Sequence, residues 1–172
     1  MITTLTSLKN DLVKRAASLK MKKYRQKEGL FLLEGKRAVE EALASGWTIR
    51  ALFFTRLPEG WEQQAANSSL PWYEVPLPVL QKITATEDPQ SVAALVELRR
   101  EELAAFAPER GMVLVLDRIR DPGNLGTLIR TADALGAAGV VLLENTADLY
   151  NPKVVRSTMG SLFHLPVFTG GK

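Results

Sequence analysis

The sequence predicts an α/β protein built in two parts. From residue 30 to residue 98, short apolar runs alternate with segments of helical period. The charged stretch RREELAAFAPERG, residues 99–111, then breaks the alternation. After it the pattern restarts with the apolar run Val113-Leu114-Val115-Leu116. The expected organisation is a small α/β domain over 1–98 with a basic N-terminal helix, a partly helical linker over 99–111, and a second α/β unit over 112–172. A length of 172 residues allows one large or two small domains.

Residues 7–20 space Leu8, Leu12, Ala16 and Leu19 as one narrow stripe, which predicts an amphipathic helix. Lys20–Lys27 reads as a polar, basic run. Phe31–Leu33 is a strand. Lys36–Ala44 carries Ala38, Val39, Ala42 and Leu43 on one side and is closed by Gly46, as expected of a helix. Ile49–Phe54 is a strand, Trp61–Ala66 a short helix, Trp72–Val75 a strand, Pro78–Ile83 a short helix and Ser91–Leu98 a strand. Such an order implies a mainly parallel sheet. In the second unit, residues 112–116 read as a buried strand, 117–124 as a loop and about 125–135 as a helix. Val140–Leu143 follows as a strand. Asn151-Pro152 offers an N-cap with proline at the first helical position. The helix it opens is expected to carry Val154, Val155, Thr158, Met159 and Leu162 on one side. Leu165–Phe168 closes the series as a strand.

Composition narrows the function. No apolar run approaches the roughly 20 residues that span a bilayer, and the N-terminus lacks the pattern of a secretory signal. Cysteine is absent, which excludes disulfides and thiol chemistry and fits a cytoplasmic protein. The net charge of +3 is unevenly placed: residues 1–40 hold ten basic and four acidic side chains, a local excess of +6. A basic arm of this kind fits an RNA or DNA phosphate backbone. A solvated helix face explains it equally well.

The stretch DRIRDPGNLGTLIR, residues 117–130, is the strongest chemical signal. It joins a strand to the next helix, and open α/β folds place ligands at that end of the sheet. Pro122-Gly123 supplies a turn, Asn124 a short amide, Gly126 a bare backbone and Arg130 a permanent cation. Together they suit a hydroxyl or phosphate oxygen. An arginine near a helix N-terminus opposes the helix dipole, which is a reason to look for a task. The competing reading is an ordinary crossover turn with a solvated arginine. Gly123 and Gly126 do not make a dinucleotide fingerprint. Lys153 and Arg156, three apart on the next helix, either bind phosphates or form a polar face. Gly160 permits close packing of backbones. His164, the one histidine, is expected to be structural, and no triad or metal set is visible.

DPGNLGTLIRTADALGAAGVVLL followed by NPKVVRSTMGSLFHLPV resembles the first block of the SpoU branch of the SPOUT RNA methyltransferases. FLLEGKRAVEEALASG is similar to the opening of the substrate-binding domain that precedes the catalytic domain in many members. The resemblance implies a ribosomal-protein-like α/β substrate-binding domain followed by the first half of a SPOUT-type parallel-sheet domain. It implies transfer of a methyl group from S-adenosylmethionine to a ribose 2′-hydroxyl of ribosomal or transfer RNA. Catalytic roles carry over to Asn124 and Arg130, and the family glycine falls on Gly126. RNA contacts are expected from Lys22, Lys23, Arg25, Lys27, Lys36, Arg37, Lys153 and Arg156. The later blocks, which form most of the cofactor pocket, the knot and the dimer interface, lie beyond Lys172. On this reading the chain by itself lacks a cofactor site, is inactive alone and exposes an apolar sheet face or edge, while the complete enzyme forms a homodimer. A non-catalytic RNA-binding module is the alternative.

Overall fold

The computed structural model describes residues 2–99, 101–103, 106 and 111–170. The chain divides into two compact units, Met1–Leu98 and Arg99–Lys172.

The first unit begins with β1 (Ile2–Thr4), α1 (Asp11–Ser18), α2 (Lys22–Glu28), β2 (Leu30–Glu34) and α3 (Lys36–Ala44). It continues with β3 (Ile49–Phe54), α4 (Glu62–Asn67), β4 (Trp72–Glu74), α5 (Leu77–Ile83) and β5 (Val92–Glu97). The Asn10 side chain accepts from the Leu12 amide at 2.9 Å and so caps α1. Val13, Ala16 and Leu19 form its buried stripe, whereas Leu8 is exposed.

Where the sequence showed only a polar run, the chain folds α2. That helix has no apolar stripe, because the residue it buries is Arg25, 3% exposed. The Arg25 Nη1 donates to the carbonyls of Leu19 at 2.7 Å and Lys20 at 2.8 Å. These carbonyls close α1 and would otherwise lack partners. Arg25 therefore clamps two helices together, which corrects its expected role as an RNA contact. Gly29 ends α2 at φ 66, a left-handed conformation that glycine takes without penalty.

The strand order is β1-β4-β3-β5-β2. β1, β4 and β3 are parallel, but β5 runs antiparallel to both β3 and β2. The sheet is thus mixed: β5 opposes the other four strands, which share one direction. β5 is a continuous apolar run buried on both faces, and such a run carries no mark of its direction. Leu30, Leu32, Ala51, Phe53, Ala93 and Leu95 meet α1 and α5 in one core cluster. The alternate residues of the strands, including Phe31, Leu33, Leu52 and Phe54, are buried too. Trp61 and Trp72 meet edge to face at 5.7 Å, and both are core residues.

In the second unit, β6 (Glu101–Glu102), β7 (Val113–Leu116), α6 (Pro122–Ala134), β8 (Gly139–Leu142), α7 (Pro152–Ser157) and β9 (Val167–Thr169) form an all-parallel sheet of order β6-β9-β8-β7. Residues 99–111 are not a simple linker. Glu101 and Glu102 pair with β9, and the Phe106 ring lies 4.2 Å from that of Phe168. Residue 100 and residues 104–105 and 107–110, with Pro108 of the expected linker, lie outside the described residues. β7 is an edge strand with Val115 55% exposed, not the buried strand expected. α7 stops at Ser157 instead of running through Leu162. Met159 (φ 53) and Gly160 (φ 99) reverse the chain, and a 3-10 turn over Ser161–Phe163 then buries Leu162. Both segments present apolar residues at helical spacing, so the sequence merged them.

Tyr150 ties the start of this unit to its body. Its hydroxyl accepts from the Arg99 amide at 3.0 Å and donates to the Arg99 carbonyl. Burial pushes the phenol from its ordinary 10.0 up to about 12, opposed by the hydrogen bond from Arg99. A raised pKa in the folded state means full stabilisation below 10.0, lost as the pH climbs through about 12. Tyr150→Phe is expected to remove the latest phenol step from an absorbance titration of the three tyrosines. It should also lower stability at neutral pH by about 1 kcal/mol. A late step that survives in the variant would show that Tyr150 is not the buried phenol.

Candidate functional site

The carboxyl end of β7 opens into the segment Asp117–Asp121. Its backbone is held by the loop after β8: the Leu143 amide donates to the Leu116 carbonyl at 2.8 Å, and the Ala147 amide to the Ile119 carbonyl at 2.8 Å. Arg118 sits at φ 54, a region that a long side chain seldom occupies. Its Nε lies 3.5 Å from Asp117 Oδ2, an exposed pair that adds little stability.

Asp121 then caps α6, accepting from the Asn124 amide at 2.7 Å, with Pro122 in the first turn. Asn124 therefore lies inside the helix's first turn rather than in a loop. Arg130 lies past the helix midpoint, so the dipole penalty expected for it does not apply.

An open cleft of about 490 Å³ is lined by Arg118, Ile119, Arg120, Asp121, Asn124, Thr127 and Leu128. Arg130 does not line it. It is exposed on α6, one turn beyond Thr127, and residues three apart on a helix are surface neighbours. Among the described residues it makes no hydrogen bond or ion pair. The cleft thus brings Asn124 together with Arg118 and Arg120, two cations that the sequence reading did not select. Their signal was the alternation Asp117-Arg118-Ile119-Arg120-Asp121 after a strand.

Gly126 faces α7 rather than a ligand. A Cβ there would stand 2.4 Å from the Ser157 Cβ and 2.7 Å from the Val154 carbonyl oxygen. Gly126 is therefore a close-packing glycine of this unit, and Gly160, at φ 99, serves a turn. Lys153 is exposed, and its Nζ lies 3.9 Å from Asp121 Oδ2, so α7 adds a cation beside the α6 N-terminus. Arg156 is half-buried with its Nη1 enclosed. The expected charge strip of the first unit is exposed at Lys22, Lys23, Lys27, Lys36 and Arg37. Lys23 Nζ lies 4.8 Å over the Tyr24 ring, and Lys36 Nζ lies 3.7 Å from Glu40. No group of residues that could hold a metal ion occurs among the described residues. No helix among them is long and apolar enough to cross a membrane.

Residues 111–172 match the SpoU rRNA Methylase family, and residues 10–94 match the MRM3-like substrate binding domain. The AdoMet-bound rRNA methyltransferase from Sinorhizobium meliloti is 40% identical with a TM-score of 0.88, over 98% of this chain and 64% of that one. The SpoU methyltransferase AviRb from Streptomyces viridochromogenes, solved with AdoMet, is 31% identical with a TM-score of 0.82, over 95% of this chain and 64% of that one. The 23S rRNA (guanosine(2553)-2'-O)-methyltransferase RlmP of Bacillus subtilis is 41% identical over 95% of this chain and 63% of its own length. The chain thus spans less than two thirds of the length of each of these three relatives. Its two α/β units, one with a mixed and one with a parallel sheet, are those of SPOUT methyltransferase structures, and the chain belongs to the SpoU rRNA methylase family.

Proposed function

We propose that this chain provides the RNA-recognition and ribose-side residues of a ribosomal RNA 2′-O-methyltransferase that uses S-adenosylmethionine. The observation that carries the reading is the cleft at the α6 N-terminus, which Asn124 and Thr127 line together with Arg118 and Arg120. A ribose hydroxyl flanked by phosphates asks for that set: a neutral group to orient the oxygen and cations to hold its anionic neighbours. Two relatives are named as ribose 2′-O-methyltransferases of 23S rRNA, which supports ribosomal RNA as the substrate class.

S-adenosylmethionine, when bound, supplies an electrophilic methyl group on a cationic sulfur. The cleft does not fit that group. Arg118 and Arg120 outnumber Asp121 in its lining and would repel a sulfonium. These residues serve the RNA side.

A guanidinium is a permanent cation and cannot serve as a base. We assign Arg130 to stabilise the charge that develops on the 2′-oxygen, with the neighbouring phosphate held beside it. Asn124 orients the hydroxyl. The exposed lysines of α2 and the first turn of α3 hold RNA backbone.

The test compares ribosomal RNA from cells with and without the gene encoding this sequence. One ribose that resists alkaline cleavage only when the gene is present is the expected result. A methyl group mapped to a base, or identical ribose maps, overturns the proposal.

A further inference from the structure

The first unit holds a second cleft, of about 430 Å³, lined by Leu12, Arg15, Glu28, Leu30, Arg50, Ala51, Tyr73, Leu95 and Glu97. It lies on the sheet face that α1 and α5 cover elsewhere, and its size suits a small planar ligand, within the ~300–1,000 Å³ usual for such clefts. Leu30, Ala51 and Leu95 give it an apolar floor. Tyr73 lies on that floor, stacked on Phe53 with ring centroids 5.5 Å apart and planes 24° from parallel. Its hydroxyl has no hydrogen-bond partner among the described residues. Two ion pairs form the rim: Arg15 Nε to Glu28 Oε2 at 2.7 Å, and Arg50 Nε to Glu97 Oε1 at 2.6 Å.

Arg50 is on this rim because β3 is irregular. Ile49 pairs with Val96 and Ala51 with Leu95, so Arg50 is the extra residue of a bulge. In a regular strand Arg50 and Ala51 would face opposite sides of the sheet. Here both line one cleft. Bulges of this kind re-aim a side chain, and the residue re-aimed is a cation whose head is largely in solvent.

We propose that this cleft takes one unstacked RNA base. The apolar floor and the Tyr73 ring meet its face, and the two arginine–carboxylate pairs present donors and acceptors to its edge. Single-stranded RNA is read in this way, by stacking on aromatic rings and hydrogen bonds to base edges. Charge supports RNA over other planar ligands. Glu28, on the rim, ends α2, whose exposed Lys22, Lys23 and Lys27 suit the backbone of the same strand. The inference rests on the RNA reading above and adds to it a base-reading site in the first unit.

The test measures binding of labelled hexauridylate, hexacytidylate and hexaadenylate to the full chain by fluorescence anisotropy. Tyr73→Ala is expected to weaken binding about tenfold with an unchanged salt dependence, because no phosphate contact is lost. Arg50→Gln, on the surface and safe for folding, should alter the ranking of the three oligonucleotides. On the wild-type protein, an oligonucleotide carrying photoactive thiouridine should crosslink at Tyr73, Leu12 or Arg50, which line the cleft and are accessible. Wild-type affinities and ranking in both variants overturn the proposal, as do crosslinks confined to other surfaces. RNA binding with those outcomes leaves the methyltransferase reading standing. A wild-type chain that binds none of the oligonucleotides overturns the base site whether or not the ribose map changes with the gene.

Discussion

Gly126→Ala is expected to destabilise the second unit by about 1–3 kcal/mol, the usual cost of overpacking a tight contact. The direction is not obvious from the helix alone. Alanine in a helix interior is favoured over glycine by about 1 kcal/mol, so an exposed site would gain stability. At this site the added Cβ would stand 2.4 Å from the Ser157 Cβ, 2.7 Å from the Val154 carbonyl oxygen and 3.0 Å from the Ser157 carbonyl carbon. Two of those three atoms are backbone and cannot rotate away. The only relief is for α6 and α7 to separate, and they form the most extensive helix pair of the unit. In a domain the size of Arg99–Lys172, each kcal/mol lowers Tm by roughly 4–8 °C, so a calorimetric scan resolves the change easily. A Tm equal to or above that of the parent would mean that α7 yields, and the contact would then not set the position of α6.

Much of this arrangement was legible before the fold was known, and the exceptions share a cause. Lys36–Ala44 and Ile49–Phe54 were placed to the residue because each has one strong period and a clear stop. α2 was missed because its buried residue is an arginine satisfied by two carbonyls, and periodicity counts apolar residues only. β1 was missed because Ile2–Thr4 is three exposed residues on a sheet edge. β5 was found but its direction was not, because direction is set by partners distant in sequence. In the site, Asn124 was legible from the turn that precedes it. Gly126 was read as room for a ligand when it is room for Ser157, since a bare backbone looks the same from the sequence whichever atom approaches it. Arg118 and Arg120 were hidden as two charges in a charged loop. The tethers from Leu143 to Leu116 and from Ala147 to Ile119 help make that loop a wall of a cleft.

Arg130→Ala, tested in the full product of the gene, should lower methyl transfer by about 100- to 1,000-fold, the effect of removing a donor aimed at a developing oxyanion. The structure makes the substitution unusually clean. Arg130 is exposed and makes no hydrogen bond or ion pair among the described residues, and alanine is a better helix former in its place. Tm should therefore stay level, and lost activity can be assigned to chemistry. Asn124→Ala is clean for a different reason. Asp121 caps the helix through the Asn124 backbone amide, which alanine retains. The pair separates two roles. Loss of the orienting amide in the cleft should raise KM and lower kcat together, because the ribose is held less well before and during reaction. Loss of the cation should fall on kcat, with RNA affinity close to that of the parent. Arg130→Lys keeps the charge without the planar fork, and an intermediate rate identifies phosphate or alkoxide geometry as what the guanidinium supplies. Near-normal turnover in Arg130→Ala would leave Arg118 and Arg120 as the cations of the site, because those are the two that line the cleft beside Asn124.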